Sequence, residues 1–552
     1  MSHQYPNVLA IIACGLGTRM STMTGNNYIP KTLVNAGKQT VLAKILTSYA
    51  QQFDEVIVAC ANDTHAAMIY EHAAAFAPDI KLSTIVHDKA DGSAKACADV
   101  AMFVANNIIG ECNVFYHWSD VWLGDIELPL DKFKNGCITC CTSNDIDCRL
   151  HLIPTDAFYK VGSYADAEAY VLDHLYEPTY HSGIVGAYYV PAAFHNNVID
   201  MQHNDSNADF ADLMTNVTFI DRYEIAGCHS YGERGAFVGE AMKAARDNEA
   251  RYFNSISIDD NVVTKIATTA RGWALIQKEQ KWYRHAMNAE STVIPLIFET
   301  GEDFIKMSKI NGVTVHQFLN KVDIERRYAA IARGCMAIFK QSINELHASD
   351  LDNDEIWPVS RQQMIDAMRK EYIETAIARY AEVKSLVAGI KSFNGTALVS
   401  FDELMSKLRL FLSQEESIDY ACENWSFIHG DPNTSNTMFN ADASKCMFID
   451  PRGYFGDVKM TGDIDYDIAK FAYGLSGYDA FNQSAYQQFD YVDGDVRAKV
   501  IGYNIDELDL TLRQKVLVAL IWLKLPAYIK NNPAKAIVAY AKGCYMLQTL
   551  LA

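Results

Sequence analysis

Residues 427–436 read Phe-Ile-His-Gly-Asp-Pro-Asn-Thr-Ser-Asn, and residues 448–452 read Phe-Ile-Asp-Pro-Arg. The order is an apolar strand, a polar loop that carries an Asp and an Asn, and a second apolar strand that ends on an Asp. Phosphoryl transfer uses this set, because one carboxylate orients the attacking hydroxyl while an amide and another carboxylate hold the magnesium that neutralises nucleotide phosphates. We therefore expect Asp431 to be the catalytic base, and Asn436 and Asp450 to bind Mg²⁺.

This order, H-G-D-x4-N followed by I-D-P, resembles the aminoglycoside phosphotransferase and choline kinase family, small-molecule relatives of protein kinases. The resemblance covers about residues 252–550 and implies a two-lobed α+β fold with ATP as the phosphoryl donor. It also implies that Lys265 pairs the nucleotide phosphates and that Glu279, on the following helix, is its salt-bridge partner. The hinge that hydrogen-bonds the adenine is expected at Met307 and Lys309.

A second glycine-rich turn lies near the N-terminus, where residues 8–19 read Val-Leu-Ala-Ile-Ile-Ala-Cys-Gly-Leu-Gly-Thr-Arg. Glycines let backbone N–H groups approach phosphates closely, and nearby cations neutralise them. A dinucleotide-binding Rossmann turn needs a third glycine at about position 20, which is Met20 here. The nucleotide-binding positions expected in this stretch and just after it are Gly15, Gly17, Thr18, Arg19 and Lys31.

The G-x-G-T-R turn and the later Pro-Lys pair resemble the sugar-phosphate nucleotidyltransferases and their phosphocholine cytidylyltransferase relatives, over about residues 7–245. The resemblance implies transfer of a nucleotidyl group from a second nucleoside triphosphate, with CTP and UTP both open. The implied roles are catalysis at Arg19 and Lys31, metal binding at Asp120, nucleotide binding at Gly92 and Ser93, and sugar-phosphate binding at Glu177 and Gly183.

One element departs from that family, which normally carries a second metal-binding Asp in a W-x-D-x-G-T segment. Here the best match is residues 228–233, which read Cys-His-Ser-Tyr-Gly-Glu and contain no Asp. His229, Glu233 or Asp221 remain alternatives for the second metal ligand, and a single metal held by Asp120 is a further one.

Short apolar runs at 7–14, 55–60, 81–86 and 112–117 alternate with helical patterns in the first half of the chain. Alternating strands and helices predict a doubly wound, mainly parallel, Rossmann-like sheet. Later segments predict a hairpin from strands at 254–258 and 262–268, a helix at 273–287, strands at 293–298 and 304–308, and a mostly helical region from 323 on. We therefore expect α/β architecture followed by a two-lobed kinase-like domain, with domains at 1–246 and 250–552.

Composition narrows the classes of partner. The chain of 552 residues carries a formal net charge of −20, which disfavours nucleic-acid binding because phosphate backbones require basic patches. Its 13 cysteines are scattered and odd in number, as in a protein of the reducing cytoplasm. No apolar run predicts membrane insertion. The partners expected are small-molecule substrates, and homo-oligomerisation stays open.

The acceptor pocket of the predicted kinase should lie after Asp450, in a region rich in aromatic residues. An aromatic box there would suit a choline-like quaternary ammonium, although aromatics at helical spacing more often form a core. Glu177 followed by Pro178 in the first domain favours a sugar instead. The aromatic residues are Tyr473, Tyr478, Phe481, Tyr486, Trp522 and Tyr528.

Together these patterns predict a bifunctional enzyme. One site phosphorylates a small hydroxylated metabolite (a sugar, an alditol or a choline-like alcohol), and the other joins that phosphate to a nucleotidyl group, releasing pyrophosphate. Such a product is an activated precursor for surface polysaccharide or lipid. The alternative is a kinase alone, with the N-terminal domain acting as a nucleotide-binding sensor.

Overall fold

The protein was analysed as a computed structural model. The residues that the structure describes are 5–15, 20–87, 93–108, 111–130, 138–143, 150–154, 159–163, 182–192, 195–200, 221–224, 229–230, 254–321, 329–348, 358–484 and 487–552. Some of the positions expected from the sequence to be functional lie outside these residues, namely Gly17, Thr18, Arg19, Gly92, Glu177 and Glu233.

The chain separates into two compact units. Unit 1 comprises Met1–Ala244 together with two later segments, Gln488–Val492 and Lys530–Ala534. Unit 2 comprises the remaining residues, Ala245–Gln487, Asp493–Ile529 and Lys535–Ala552. The sequence predicts a single division of the chain, at 246–250. In the structure, unit 1 also includes two short segments from the C-terminal half of the chain.

The strands of the N-terminal half of the chain are β1 Asn7–Ala13, β2 Asn35–Ala36, β3 Gln39–Thr40, β4 Glu55–Cys60, β5 Leu82–Val86, β6 Asn113–Trp118, β7 Val121–Trp122, β8 Ile138–Ser143, β9 Leu150–Pro154, β10 Tyr159–Ser163, β11 Ser182–Val190, β12 Asp221–Glu224 and β13 His229–Ser230. Its helices are α1 Ser21–Thr24, α2 Val41–Ser48, α3 Asp63–Phe76, α4 Ser93–Asn107 and α5 His195–Asp200, with 3₁₀ turns at Lys31–Leu33 and Ala50–Gln52.

The main sheet of unit 1 has the strand order β10-β9-β11-β6-β1-β4-β5, with β8 pairing both β11 and β12. Strand β1 runs parallel to β4 and β6, and β5 extends the sheet in parallel beyond β4. Strand β11 pairs antiparallel with β6. The expected mainly parallel, Rossmann-like α/β sheet is therefore confirmed for this unit.

Strand β1 lies inside the sheet, between β6 and β4, and is apolar from Val8 to Ala13. Central parallel strands are covered by helices on both faces, so they read as continuous apolar runs rather than alternating ones. Residues 8–13 are buried, and Val8, Ala10 and Ile12 share one core cluster with residues of helix α4. The segment after β1, which begins at Cys14 and Gly15, therefore emerges at the carboxyl edge of the sheet.

In the C-terminal half the strands are β14 Asn254–Asp259, β15 Val262–Ala267, β16 Ile297–Thr300, β17 Phe304–Ser308, β18 Gly312–Thr314, β19 Ser392–Phe393, β20 Thr396–Ala397, β21 Trp425–Phe427, β22 Thr437–Asn440, β23 Cys446–Phe448, β24 Tyr454–Phe455, β25 Val458–Lys459, β26 Thr461–Asp463, β27 Asp490–Val492 and β28 Asp495–Arg497. The helices are α6 Ala270–Asn288, α7 Val315–Lys321, α8 Ala329–His347, α9 Arg361–Met368, α10 Thr375–Ala381, α11 Lys384–Val387, α12 Phe401–Ser413, α13 Glu415–Glu423, α14 Ile464–Leu475, α15 Tyr478–Gln483, α16 Leu512–Lys524 and α17 Pro533–Leu550. A π-helical turn spans Arg369–Glu374, and 3₁₀ turns span Ile505–Glu507 and Leu525–Tyr528.

Unit 2 begins with an antiparallel sheet of order β14-β15-β17-β16, and helix α6 follows β15 in the chain. The expected hairpin and helix are present at β14, β15 and α6. The strand expected at 293–298 starts only at Ile297, because Pro295 has no N–H to donate to a ladder. Beyond residue 329 the unit is mostly helical, apart from short strands. None of the helices in the described part of the chain combines the length and apolar character needed to cross a membrane.

Three lysines of unit 2 lie inside its helical part, and Lys542 is the most strongly affected by burial. Its ammonium donates to the Ser476 carbonyl oxygen at 2.9 Å and lies 4.0 Å from the centroid of the Trp522 ring. Ser476 caps the C-terminal end of helix α14, where a cation satisfies end carbonyls. Burial lowers the pKa of Lys542 to about 7, and it lowers the pKa values of Lys524 and Lys535 to about 8.

Replacing Lys542 should flatten the pH dependence of stability. Between pH 7 and 8.5 the unfolded chain binds this proton more tightly than the folded chain, so the free energy of unfolding of the wild type rises with pH. Lys542→Met removes that term. Denaturant unfolding across this range should give a slope lower by about 1 kcal/mol per pH unit in the variant. Lys407→Met, at a half-exposed lysine of α12 paired with Glu403, should leave the slope unchanged. Parallel curves for wild type and Lys542→Met would contradict the assignment.

Candidate active sites

In unit 2, one buried ammonium joins the sheet, the first helix and the segment after β23. Lys265 of β15 lies 2.6 Å from Glu279 Oε2 on α6 and 2.5 Å from Asp450 Oδ1. The ion pair between Lys265 and Glu279 expected from the sequence is therefore present. Burial by itself lowers the pKa of Lys265, but the carboxylates of Asp450 and Glu279 outweigh burial and raise it above its usual value. Lys265 is thus charged at any physiological pH.

The loop from 429 to 436 folds around its own side chains. Asn433 Oδ1 accepts the backbone N–H groups of Ser435 and Asn436, each at 3.0 Å, which forms the turn. The Asn436 amide nitrogen donates to the Asp431 carbonyl oxygen at 2.9 Å. This bond uses the amide nitrogen of Asn436, and the carboxamide oxygen is the atom that can bind a metal. The Asn436 N–H also donates to the Asn433 carbonyl oxygen, and the Ile449 N–H donates to the Asn436 carbonyl oxygen. The second bond joins the loop to Ile449, the residue before Asp450.

A buried carboxylate on helix α14 fixes the start of this loop. Asp467 Oδ2 accepts the His429 N–H at 2.8 Å, and Asp467 Oδ1 accepts the Gly430 N–H at 2.7 Å. His347 Nε2 lies 3.1 Å from the same carboxylate. Asp467 therefore braces the loop, whereas Asp463 is the N-cap of α14.

The contacts of His429 are structural ones. Its ring is fully buried, and Nε2 lies 3.0 Å from the Ile449 carbonyl oxygen. Burial lowers the pKa of His429, so its imidazole is neutral at pH 7. It packs edge-on against Trp282, whose indole N–H donates to the Ile428 carbonyl oxygen at 2.8 Å.

The backbone of Asp450 has a conformation that is uncommon for residues other than glycine. Its backbone φ is +59°, in the left-handed region that an Asp tolerates better than most residues. A group of three or more His, Cys, Asp or Glu side chains able to hold a metal ion is absent from the described residues. A Mg²⁺ ion, which commonly takes one or two carboxylates and completes its shell with phosphate oxygens and water, nevertheless fits the Asn436 and Asp450 donor pair.

Lys470 and Glu371 are two charged residues with contacts in this region that were not expected from the sequence. Lys470 Nζ lies 3.1 Å from Asp431 Oδ1. Arg452 donates to both oxygens of the buried Glu371, at 3.2 and 2.9 Å, and Glu371 also pairs with Lys524 at 3.0 Å. The helical spacing of Lys470 from Asp467 was the one available signal, since residues three apart share a helix face. Glu371 gave no local signal, because it lies in a π-helical turn distant in sequence.

The residues at which the hinge is expected lie at the end of β17 and directly after it. Met307 is a buried residue of that strand, opposite Val263. The Lys309 N–H donates to the Asn261 carbonyl oxygen at 2.8 Å, and the Ser308 N–H donates to the Leu296 carbonyl oxygen at 2.8 Å. These two amides are therefore engaged within the sheet.

The aromatic residues after Asp450 form a core rather than an open cage. Tyr473 stacks on Tyr478 with ring centroids 4.4 Å apart, and Trp522 meets Tyr473 and Phe481 edge-on at 5.1 and 5.5 Å. Tyr528 is exposed and lies under the guanidinium of Arg379. Rings that pack on one another present no shared face to a ligand, so the choline-like hint from this cluster fails within the described residues; Tyr486 lies outside them.

In unit 1 the expected cation and metal ligand meet at the carboxyl edge of the sheet. Lys31 Nζ lies 2.5 Å from Asp120 Oδ2, and both side chains are mostly buried. Asp120 follows β6 and Gly15 follows the neighbouring β1, so both come after central parallel strands, where ligands of such sheets bind. Asp120 precedes a strand, β7, rather than a helix, so it is not a helix N-cap.

Two of the alternatives for a second metal ligand, His229 and Asp221, lie on strands in different parts of the unit. His229 pairs with Trp122, and Ser230 pairs with Val121, the residue next to Asp120. Asp221 pairs with Ile138 of β8, which lies two strands away from β6 across β11. At about 4.8 Å per strand, Asp221 is about 14 Å to the side of β6. The backbone therefore brings position 229, and not position 221, close to Asp120.

Two further expected positions are described in unit 1. Ser93 is the first residue of α4, where a helix N-terminus offers N–H groups to an anion. Gly183 lies in β11, in register with Thr142 of β8 and His151 of β9.

Residues 9–134 match the family model described as nucleotidyl transferase. The N-terminal region therefore contains a nucleotidyl transferase domain, and the matched stretch includes Gly15, Lys31, Ser93 and Asp120. A search of curated proteins found no match to the chain.

Several solved structures resemble the N-terminal part. A candidate glucose-1-phosphate thymidylyltransferase from Bacillus anthracis is 14% identical, covering 44% of this chain and 98% of its own, with a TM-score of 0.35. A nucleoside-diphosphate-sugar pyrophosphorylase from Vibrio cholerae is 12% identical, covering 42% and 98%, with a TM-score of 0.33. The UTP-bound UGPase from Acinetobacter baumannii is 10% identical, covering 44% and 95%, with a TM-score of 0.31. At TM-scores this low, the likenesses support no inference.

Removing the Asp467 charge should loosen the loop selectively. In Asp467→Asn an amide N–H₂ faces a backbone N–H, and an unsatisfied buried N–H costs about 1–3 kcal/mol. Amide hydrogen exchange of a peptide spanning 427–436 should therefore accelerate by about 10- to 100-fold. Asp465→Asn is the matched control, since Asp465 is buried on the same helix but bonds Gln514 rather than the loop. Equal exchange of the loop in both variants would contradict the bracing role.

Proposed function

We propose that the chain is a bifunctional enzyme. Unit 2 transfers the γ-phosphoryl group of ATP to a hydroxyl of a small metabolite, and unit 1 joins that phosphate to a nucleotidyl group from CTP or UTP, releasing pyrophosphate. The observation that carries the kinase half is Lys265 paired with both Glu279 and Asp450 beside the Asp431 loop. The nucleotidyl transferase domain at 9–134 supports the other half.

In the proposed phosphoryl transfer, Asp431 orients the acceptor hydroxyl and takes its proton as the new phosphorus–oxygen bond forms. Asn436 and Asp450 would hold Mg²⁺, which neutralises phosphate oxygens when bound. Lys265 is already positioned next to Asp450 and can donate to the same phosphates. Most of the catalytic effect in such a site comes from fixed position and fixed charge, because the protein makes no covalent bond to the phosphoryl group.

The face of the antiparallel sheet that carries Lys265 suits a nucleobase. Residues directly opposite in paired strands share a face, so Ile256, Ile258 and Val263 lie on the Lys265 side. Ile256 and Ile258 are 47% and 62% exposed, which is unusual for isoleucines next to a polar site. A planar base covering them would bury this apolar area. Because the Lys309 amide already bonds Asn261, a hinge contact at this position would use a carbonyl oxygen as acceptor.

In the proposed nucleotidyl transfer, the metabolite phosphate attacks the α-phosphorus and pyrophosphate leaves. Lys31 would release Asp120 and donate to the incoming or α-phosphate, while Asp120 would bind Mg²⁺ together with phosphate oxygens. The mutual packing of the aromatic rings after Asp450 removes the argument for a quaternary ammonium. We therefore favour a sugar or alditol as the metabolite, activated for surface polysaccharide.

The two half-reactions should be separable by single substitutions. Asp431→Asn should lower phosphorylation by about 10²–10⁴-fold, the usual contribution of general acid–base catalysis, and leave pyrophosphate release from a supplied sugar phosphate intact. Asp120→Ala should have the opposite pattern. The assay follows ADP and pyrophosphate in parallel for a panel of sugars, alditols and their phosphates. Loss of both reactions in either folded variant would contradict two independent sites.

The magnesium requirement should distinguish the candidate second ligands in unit 1. Because position 229 is next to the strand that follows Asp120, His229→Ala should raise the Mg²⁺ concentration needed for half-maximal pyrophosphate release. Asp221→Asn, three strands to the side, should leave it unchanged and serves as the control. Identical magnesium titrations in the two variants would mean that position 229 contributes nothing to the metal.

A further inference from the structure

A lysine lies beside Asp431, the expected catalytic base. Lys470 Nζ lies 3.1 Å from Asp431 Oδ1, with only 16% of the lysine side chain exposed. Its helix, α14, also carries Asp467, which holds the loop backbone. The same helix face therefore fixes the loop and places a positive charge at its acidic side chain.

We propose that Lys470 is a catalytic residue of the phosphoryl transfer and that its ammonium binds the γ-phosphoryl oxygens of ATP as the group moves to the acceptor. This inference rests on the proposed kinase function of unit 2. It adds a second cation on the acceptor side of the reaction, whereas Lys265 stays with Asp450 and Glu279 on the nucleotide side.

Distances support this assignment. A general base lies about 2.6–3.2 Å from the hydroxyl oxygen whose proton it takes. That oxygen lies about 3–3.5 Å from the phosphorus it attacks. A lysine ammonium 3.1 Å from Asp431 therefore needs only a change of side-chain rotamer to reach the oxygens of the transferred group.

Two aromatic rings near Lys470 attract its ammonium without binding it in one fixed position. The Tyr466 and Tyr473 ring centroids lie 5.6 and 5.9 Å from Nζ, on the turns before and after it. Both rings are buried and held in place, Tyr466 by its hydroxyl bond to Glu371 and Tyr473 by stacking on Tyr478. Aromatic faces attract a cation but are not directional, so the ammonium can leave Asp431 for a phosphoryl oxygen.

The proposed phosphoryl transfer conserves atoms and charge. The acceptor oxygen forms a bond to the γ-phosphorus, and the bond from that phosphorus to the β–γ bridging oxygen breaks. The electron pair of the broken bond leaves with ADP, and the hydroxyl proton passes to the Asp431 carboxylate. Lys470 stays protonated throughout, and it changes partner from Asp431, which is becoming neutral, to the phosphoryl oxygens.

A double-mutant cycle tests the assignment against the alternative that Lys470 only orients Asp431. The variants are Lys470→Met, Asp431→Asn and the double variant, with Lys515→Met as a control for loss of a lysine–aspartate pair on a helix. The probe is γ-labelled ATP with Mg²⁺ and a mixture of hexoses and pentitols, and a reaction with water alone as acceptor. Thermal unfolding checks that each variant is folded, and Lys470→Gln, which also removes the charge, replaces the Met variant in the cycle if the Met variant does not fold.

We expect Lys470→Met to lower kcat by about 100-fold with little change in the KM for ATP, since one fixed donor at a developing charge contributes about this much. In the Asp431→Asn background it should still lower the rate at least about tenfold, because the two residues act on different groups. Lys470→Arg should retain most of the rate. Lys515→Met should match the wild type.

Two results would overturn the inference alone while the kinase function stands: full activity in Lys470→Met, or no further loss in the double variant relative to Asp431→Asn. The second result would make Lys470 a positioning residue that acts only through Asp431. Absence of any labelled phosphate ester with wild-type protein would overturn this inference together with the proposed kinase function.

Discussion

The arrangement of unit 2 depends on one buried ammonium shared by two carboxylates. Lys265 comes from the sheet, Glu279 from helix α6, and Asp450 from a segment far along the chain, so their ion pairs hold three separate parts of the unit together. Removing Lys265 would take away the ammonium that pairs with the buried Glu279 carboxylate, and breaking a buried ion pair is strongly destabilising. In the proposed kinase, Lys265 and Asp450 would release each other when phosphates and Mg²⁺ bind.

The loop at 429–436 is held in the same way, by charges from elsewhere in unit 2. Asp467 accepts two of its backbone N–H groups, and Thr434 and Ser435 donate their hydroxyls to the buried Asp479. Burial raises the pKa of Asp479, and these hydroxyl bonds oppose that rise. A polar loop fixed at both ends by carboxylates keeps Asp431 and Asn436 in position without help from a ligand, and fixed position is most of what phosphoryl transfer asks of a protein.

Sequence reasoning succeeded where chemistry and spacing are local. The central strands of unit 1, the hairpin around Lys265 and the Lys265–Glu279 pair followed from apolar periodicity and motif spacing. It failed where tertiary packing decides. Glu371 and Lys470 meet partners that are distant in sequence, Arg452 and Lys524 for Glu371 and Asp431 for Lys470. The rings around Trp522 form a core, as their helical spacing favoured. Asp221 and His229 are close in sequence but lie on different parts of the sheet, which only strand pairing reveals.

The central claim is that the phosphate made in unit 2 becomes the phosphate that attacks in unit 1. It is tested most directly by one reaction containing ATP labelled at the γ-phosphorus and CTP or UTP labelled distinguishably at the α-phosphorus, with a mixture of unphosphorylated sugars and alditols. The account predicts a nucleoside-diphosphate product that carries both labels in equal amounts. A product that carries the α-label alone, or two separately labelled products with no doubly labelled species, would contradict it.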